Sequence, residues 1–258
     1  MLKNKKGLIF GIANDHSIAW GIAKSLSEQG AEIAITYQND TLLKRIKPLA
    51  SIINSKMIMK CDVSKEKDID QCFKKISEKW ETIDFIIHAV AYSDKNELTG
   101  RYLDTTLENF KKTLNISCFS LTKIAQRGIN IMKKNGSIVT LSFYGAEKVM
   151  PNYNVMGIAK AALETSVRYL SVDLGSKNIR INAISAGPMR TLSGAAIKNS
   201  RKIYNFTKEN SPLQRNVSLK ELGNTATYLV SDLSTAVTGE ILYVDCGYNI
   251  IGMPNQDK

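Results

Sequence analysis

Short β-branched and apolar runs alternate with helix-length amphipathic segments along almost the whole chain, and this alternation restricts the fold to α/β layering. The pattern predicts strands over residues 7–10, 32–36, 56–60, 85–88, 137–141, 180–184 and 241–244. Helices are predicted over 18–29, 42–50, 68–80, 107–132, 154–174 and 219–229. Residues 94–105 are polar and turn-rich, and 187–211 form an excursion with a short helix. Strands joined by crossover helices lie parallel with right-handed connections. The expectation is a single Rossmann-like doubly wound α/β domain over residues 1–258. It has a seven-stranded parallel sheet, and the helical excursion precedes the last helix and strand. Ligands of such sheets bind at the carboxyl ends of the strands, so the functional residues should gather there.

Composition narrows the setting. With 258 residues, 43% apolar and 23% charged, the chain can bury a sizeable core and does not have a disordered composition. Its longest apolar runs, GLIFGIA from Gly7 and FIIHAVAY from Phe85, are far too short to span a membrane, and no signal peptide is visible. Cys61, Cys72, Cys118 and Cys246 have no tight spacing. That argues against a disulfide framework or a metal cluster and for a reducing compartment, with the cytoplasm as the expectation. Lys and Arg total 35 against 24 Asp and Glu, a net charge of +11 that admits nucleic acid, an anionic membrane surface or an acidic protein. Only the placement of the basic residues can choose among them.

Gly11, Ser17 and Gly21 lie between the first strand and its helix. There a missing Cβ lets backbone approach a pyrophosphate, and free helix N–H groups face the anion. Residues 36–38 end the second strand without Arg or Lys, which favours an unphosphorylated ribose. Asp62 and Val63 after the third strand suit adenine, although Asp62 followed by Ser64 serves equally as a helix cap. Ala89 after the fourth strand suits close approach to a cofactor, whereas His88 reads first as a core histidine satisfied by hydrogen bonds.

The stretch from Leu141 to Lys160 is the most informative. Seven residues at 100° each bring Lys160 within about 20° of Tyr153 on one helical face. A nearby ammonium favours the phenolate, making the tyrosine a better donor to a developing oxyanion. Gly187-Pro188-Met189-Arg190-Thr191 offers backbone donors and a hydroxyl after the sixth strand. Beyond it, residues 192–197 supply apolar side chains for a movable lid over a hydrophobic substrate.

The segments GIANDHSIAWGIAKSL from Gly11, TYQND from Thr36, PNYNVMGIAKAALE from Pro151 and SAGPMRTLSGAAIK from Ser185 resemble the NADH-dependent enoyl-[acyl-carrier-protein] reductases of bacterial type II fatty acid synthesis. This family lies within the short-chain dehydrogenase/reductase superfamily. The resemblance covers nearly the whole chain. Ordinary superfamily members have three residues between the active tyrosine and lysine. Tyr153 and Lys160 have six between them, as in this family.

The resemblance implies reduction of a trans-2-enoyl thioester carried on acyl carrier protein, with NADH delivering hydride to the β-carbon. Tyr153 would hydrogen-bond the thioester oxygen, and Lys160 would hold the nicotinamide ribose. Gly11, Ser17 and Ile18 map to the pyrophosphate region, Gln38 to the adenosine ribose, Asp62 and Val63 to adenine, and Met189 with Thr191 to the nicotinamide end. Ala89 and Ala91 map to the shared cleft, while Phe143, Met156 and Tyr153 map to the acyl pocket. At position 143 many members carry a second tyrosine, so Phe143 can pack there but cannot donate a proton.

Lys198, Arg201 and Lys202 fall on the excursion at the substrate mouth, where the family is basic and receives acidic acyl carrier protein. A solvated charged helix face is the bland alternative. The resemblance also implies a homotetramer with the apolar stretch 243–253 near an interface, no nucleic-acid partner and no membrane insertion. Competing readings are a β-ketoacyl-carrier or other carbonyl reductase, which the Tyr–Lys gap disfavours, and a dinucleotide-binding protein without turnover.

Overall fold

In a computed structural model, which describes residues 1–195 and 197–253, the strands form one parallel sheet. They are β1 (Lys6–Phe10), β2 (Glu32–Tyr37), β3 (Met57–Lys60), β4 (Ile83–His88), β5 (Met132–Ser142), β6 (Arg180–Ala186) and β7 (Ile241–Val244). Their order is β3-β2-β1-β4-β5-β6-β7. Position 196 of the expected excursion and residues 254–258 of the expected domain lie outside the described residues.

The helices are α1 (Ile18–Glu28), α2 (Asp40–Ile52), α3 (Glu66–Trp80), α4 (Leu107–Leu114), α5 (Ser120–Gly128), α6 (Asn154–Gly175), α7 (Leu192–Ala195), α8 (Ser200–Asn210) and α9 (Leu219–Val230). Leu8, Ile9 and Phe10 are all fully buried, because helices cover both faces of the sheet. Alternate strand residues enter opposite layers. Ile9 and Val139 pack with α1, α2 and α9, whereas Leu8, Phe10 and Ile138 pack with α3, α5 and α6. A third, small cluster of Leu98, Tyr153, Met156 and Ala159 lies apart from these two layers.

The long helix expected over 107–132 is not one helix. It becomes α4, a π-helical turn at Asn115–Phe119 and α5. Serine hydroxyls compete with the regular ladder there: Ser117 Oγ exchanges hydrogen bonds with the backbone of Tyr92, and Ser120 Oγ donates to Ile116 O at 2.6 Å. Met132 belongs to β5 instead, because the Ile83 amide donates to Ile131 O and draws the chain alongside β4.

Candidate active site

Neighbouring strands β1 and β4 send their following segments to opposite faces of the sheet, which opens a crevice at their carboxyl ends. A cleft of about 880 Å3 occupies it and runs on past β5 and β6 to the excursion. Gly11 lines it with φ +102°, and a Cβ there would lie 2.1 Å from Ala89 O. Any side chain would therefore push β1 and β4 apart. Ser17 is the N-cap of α1, but its hydroxyl donates to Asn14 O at 2.6 Å instead of capping the helix. The first turn of α1 has no acidic residue, and among the described residues no acceptor takes the amides of Ile18 or Ala19, both at the cleft wall.

Gly21 does not belong to this cradle. A Cβ there would meet Leu219 Cβ at 2.8 Å, so its bare backbone serves the packing of α1 on α9, and the expected pyrophosphate contact is corrected.

The ends of β2 and β3 meet at the outer margin, beyond the walls of the main cleft. Gln38 Nε2 donates to Asp62 Oδ2 at 3.5 Å. Asp62 Oδ1 accepts from both the amide and the hydroxyl of Ser64, so its turn-capping role is realised. Burial pushes the Asp62 carboxyl up, but Ser64, Gln38 and Lys65 together hold it below its ordinary value. Val63 is buried in the layer under α3.

At the other end, Tyr153 is the N-cap of α6 and Lys160 lies in its second turn, both buried and both lining the cleft. Lys160 Nζ donates to Leu141 O at 2.6 Å. An ammonium has three donors, so two remain for a ligand. Burial lowers Lys160 to about 8, with Cys118 and Glu164 opposing the shift. Tyr153 departs from expectation: burial, with Glu164 adding to it, pushes the phenol above its ordinary value. The correction has a physical cause, since desolvation and the Glu164 charge both penalise the phenolate. Tyr153 is therefore a proton-bearing donor, and no described residue hydrogen-bonds its hydroxyl.

Phe143, Met156, Ala91 and Ile197 give this end apolar walls, with Met189 and Thr191 opposite. Thr191 Oγ1 accepts from the Gly194 amide at 2.9 Å and so organises α7. His88 does not line the cleft. Its ring nitrogens pair with Thr140 Oγ1 and Ser120 Oγ, each at 2.8 Å, and burial with the Lys160 charge lowers it to about 3, leaving it neutral.

Sequence reasoning missed several supports. A Cβ at Gly145 would lie 2.5 Å from Tyr153 Cδ1, and one at Gly157 would lie 2.8 Å from Gly145 O. Asn152 Nδ2 donates to Lys198 O at 3.0 Å, and Asn154 Nδ2 donates to Glu97 O at 3.2 Å, tying the flanking loops to the start of α6. Arg190 lies 4.5 Å from the Tyr204 ring centroid and couples the Gly-Pro turn to α8. No sequence period signals these contacts. Lys198, Arg201 and Lys202 are exposed; Arg201 reaches the cleft rim, and with Lys198 and Lys95 it also lines a neighbouring cavity of about 460 Å3.

The family profile described as enoyl-(acyl carrier protein) reductase matches residues 11–249. The chain belongs to the enoyl-(acyl carrier protein) reductase family. Within that family, it is 56% identical over 254 residues to enoyl-[acyl-carrier-protein] reductase [NADH] 2 of Rhizobium meliloti (strain 1021), covering 98% of this chain and 95% of that protein. It is 53% identical to the Rickettsia typhi (strain ATCC VR-144 / Wilmington) reductase FabI, covering 98% of this chain and 97% of the relative. Among solved reductases, FabI from Candidatus Liberibacter asiaticus superposes with a TM-score of 0.97 at 54% identity, with 98% of each chain covered. The enoyl-(acyl-carrier-protein) reductase of Anaplasma phagocytophilum, solved in complex with NAD, gives 0.95 at 54% identity, covering 98% of this chain and 97% of that one. The unpartnered α1 amides, the glycine-dependent contact at Gly11 and the spare donors of Lys160 fit a dinucleotide lying along this reductase cleft.

Proposed function

We propose that the chain reduces the trans-2 double bond of enoyl-[acyl-carrier-protein] to the acyl form in fatty acid elongation, with NADH as reductant. One observation carries the assignment of roles. Tyr153, with a protonated and unpartnered hydroxyl, and Lys160, with spare donors, face the apolar end of a cleft whose other end is the α1 amide cradle. When bound, NADH supplies the hydride that adds to the β-carbon.

Tyr153 donates its hydrogen bond to the thioester oxygen, an interaction that strengthens as negative charge develops there and so acts mainly on the transition state. Lys160 binds the nicotinamide ribose and adds positive potential beside the same oxygen. Ala89, Met189 and Thr191 position the nicotinamide end. Gly11, Ser17 and Ile18 take the pyrophosphate, while Gln38, Asp62 and Val63 take the adenosine. Ala91, Phe143 and Met156 exclude water and hold the acyl chain.

Residues 187–211 act as the substrate-binding lid. Lys198, Arg201 and Lys202 receive the acidic carrier, supported by the exposure of all three and by Arg201 reaching the cleft rim. A homotetramer is part of the proposal, supported by exposed apolar side chains on α6 (Tyr169, Val172), at α4 and the π turn (Leu107, Phe119) and near the carboxyl end (Ile250). Cytoplasmic residence accords with four free cysteines, three of them buried. Among the described residues no helix is long and apolar enough to cross a membrane.

Loss of NADH absorbance with a crotonyl thioester, but not with an acetoacetyl thioester, is the expected result. Turnover of the acetoacetyl thioester alone would make the chain a carbonyl reductase.

A further inference from the structure

Helix α6 carries one more ionisable side chain into the interior behind the catalytic pair. Glu164 follows Lys160 by four residues on the same helical face, and each is 5% exposed. Two consecutive residues at the end of β5 grip both side chains: Leu141 O accepts from Lys160 Nζ, and the Ser142 hydroxyl donates to Glu164 Oε1.

Ser142 is in register with Ser185 on β6, and Ser185 with Tyr243 on β7, so all three side chains rise from the sheet face that α6 covers. Ser185 Oγ is buried and has no partner among the described residues, while the Tyr243 hydroxyl donates to Glu147. The sheet thus offers α6 a row of hydroxyls, and Glu164 is the carboxyl from that helix that engages it. No step of the reaction above uses Glu164, yet a carboxylate this deep is costly without a compensating charge and hydrogen bond.

We propose that Glu164 is a positioning residue for the catalytic pair: gripped by Ser142, it sets the rotation of α6 against β5 and supplies the counter-charge that keeps Lys160 an ammonium inside the cleft. The titratable groups that act on Lys160 or feel its charge come from three elements: Glu164 of α6, His88 of β4 and Cys118 of the π turn. His88 is neutral. Cys118 carries charge only as a thiolate, and burial pushes that thiol up. Glu164 is therefore the carboxyl among these groups, and its carboxylate form supplies the negative charge that favours the ammonium. Burial pushes its own carboxyl up, Ser142 opposes this, Glu147 adds to it, and Arg168 and Lys160 oppose it.

The inference rests on the roles given to Tyr153 and Lys160, so the experiment separates the two. NADH dissociation constants are measured by fluorescence from neutral to alkaline pH, beside kcat with a crotonyl thioester. In the parent, affinity should fall as the pH rises through about 8, the Lys160 value. Lys160→Met should abolish that fall; its persistence would reject the lysine assignment rather than the role of Glu164.

Glu164→Gln keeps an acceptor for Ser142 but loses the charge, and should move the midpoint down by about one pH unit or more. Ser142→Ala keeps the charge but loses the grip. It should leave the midpoint in place and lower kcat by roughly threefold or more. An unmoved midpoint in folded Glu164→Gln overturns the counter-charge, and parental kcat in Ser142→Ala overturns the grip. If Glu164→Gln does not fold, Glu164→Asp replaces it. A parental midpoint with lowered kcat then supports the proposal, and any other combination overturns it.

Discussion

Phe143 and Tyr153 meet edge to face, with ring centroids 5.1 Å apart and planes inclined at 68°. The phenylalanine, which has no hydroxyl, is thereby a wall for the tyrosine, whose ring is held by packing on one side and by Gly145 on another.

Restoring a hydroxyl at this wall should accordingly do little. Phe143→Tyr is expected to leave kcat near the parental value, and a rise of about tenfold or more would mean that a hydroxyl there takes part in the chemistry. Phe143→Ala removes an aromatic pair worth about 0.5–1.5 kcal/mol and should lower kcat/KM by roughly two- to tenfold. Steady-state rates with a crotonyl thioester check both.

Gly145→Ala should damage catalysis without unfolding the chain. The new methyl would sit 2.5 Å from Tyr153 Cδ1 and 3.2 Å from Phe143 Cδ1, so the tyrosine ring must move. A shift of about 1 Å at a reacting group can cost on the order of a hundredfold in rate. We expect a loss of that order in kcat with retained NADH affinity and an unchanged far-UV spectrum. Parental kcat would show that the ring finds another route to the same position.

Replacing Lys198, Arg201 and Lys202 together with Gln should raise KM for carrier-bound substrate more than for a small thioester. Charge at an exposed rim acts chiefly on encounter, so the difference should shrink as salt is added. Equal effects on both substrates would reject carrier docking at this face.

A stability prediction concerns α9, whose start is closed by a reciprocal cap between Ser218 and Glu221. Arg215 makes a bidentate pair with the same carboxylate, at 2.6 and 3.0 Å. Arg215, then the Ser218 amide and hydroxyl, lowers Glu221 from 4.5 to about 2. Because the folded value lies below the unfolded one, the stabilisation is present above about 4.5 and is lost as the pH falls towards about 2. The half-exposed pair is screened by solvent, so the cap dominates. Glu221→Ala should cost about 1 kcal/mol at neutral pH, or roughly 2–4 °C in Tm. Thermal melts in acid should show the parent and variant converging across that pH window.

The alternating pattern located all seven strands, and for β7 the expected and observed limits coincide. Most strands gained a residue or two at their ends, where pairing with a neighbour decides the limit. The break in the helix at 115–119 was hidden because its cause is a partner distant in sequence, the Tyr92 backbone. The Tyr153–Lys160 spacing anticipated that both side chains line one cleft, since seven residues return to one helical face whatever surrounds them. Gln38 and Asp62 do meet at the margin, and Asp62 fulfils its capping alternative. Glu164 carried a readable clue, four residues beyond Lys160, but nothing local distinguishes a buried carboxylate from a solvated one.

Local periodicity was thus enough to establish the layered parallel sheet, and the first turn and the Tyr–Lys interval pointed to the two ends of the cleft proposed for cofactor and substrate. Tertiary structure alone decided that Gly21 serves α9, that Gly145 and Gly157 make room beneath Tyr153, and that Tyr153 holds its proton more tightly than an ordinary phenol. Backbone periodicity is a property of neighbours along the chain. Desolvation and steric clearance depend on which distant segments the fold brings into contact.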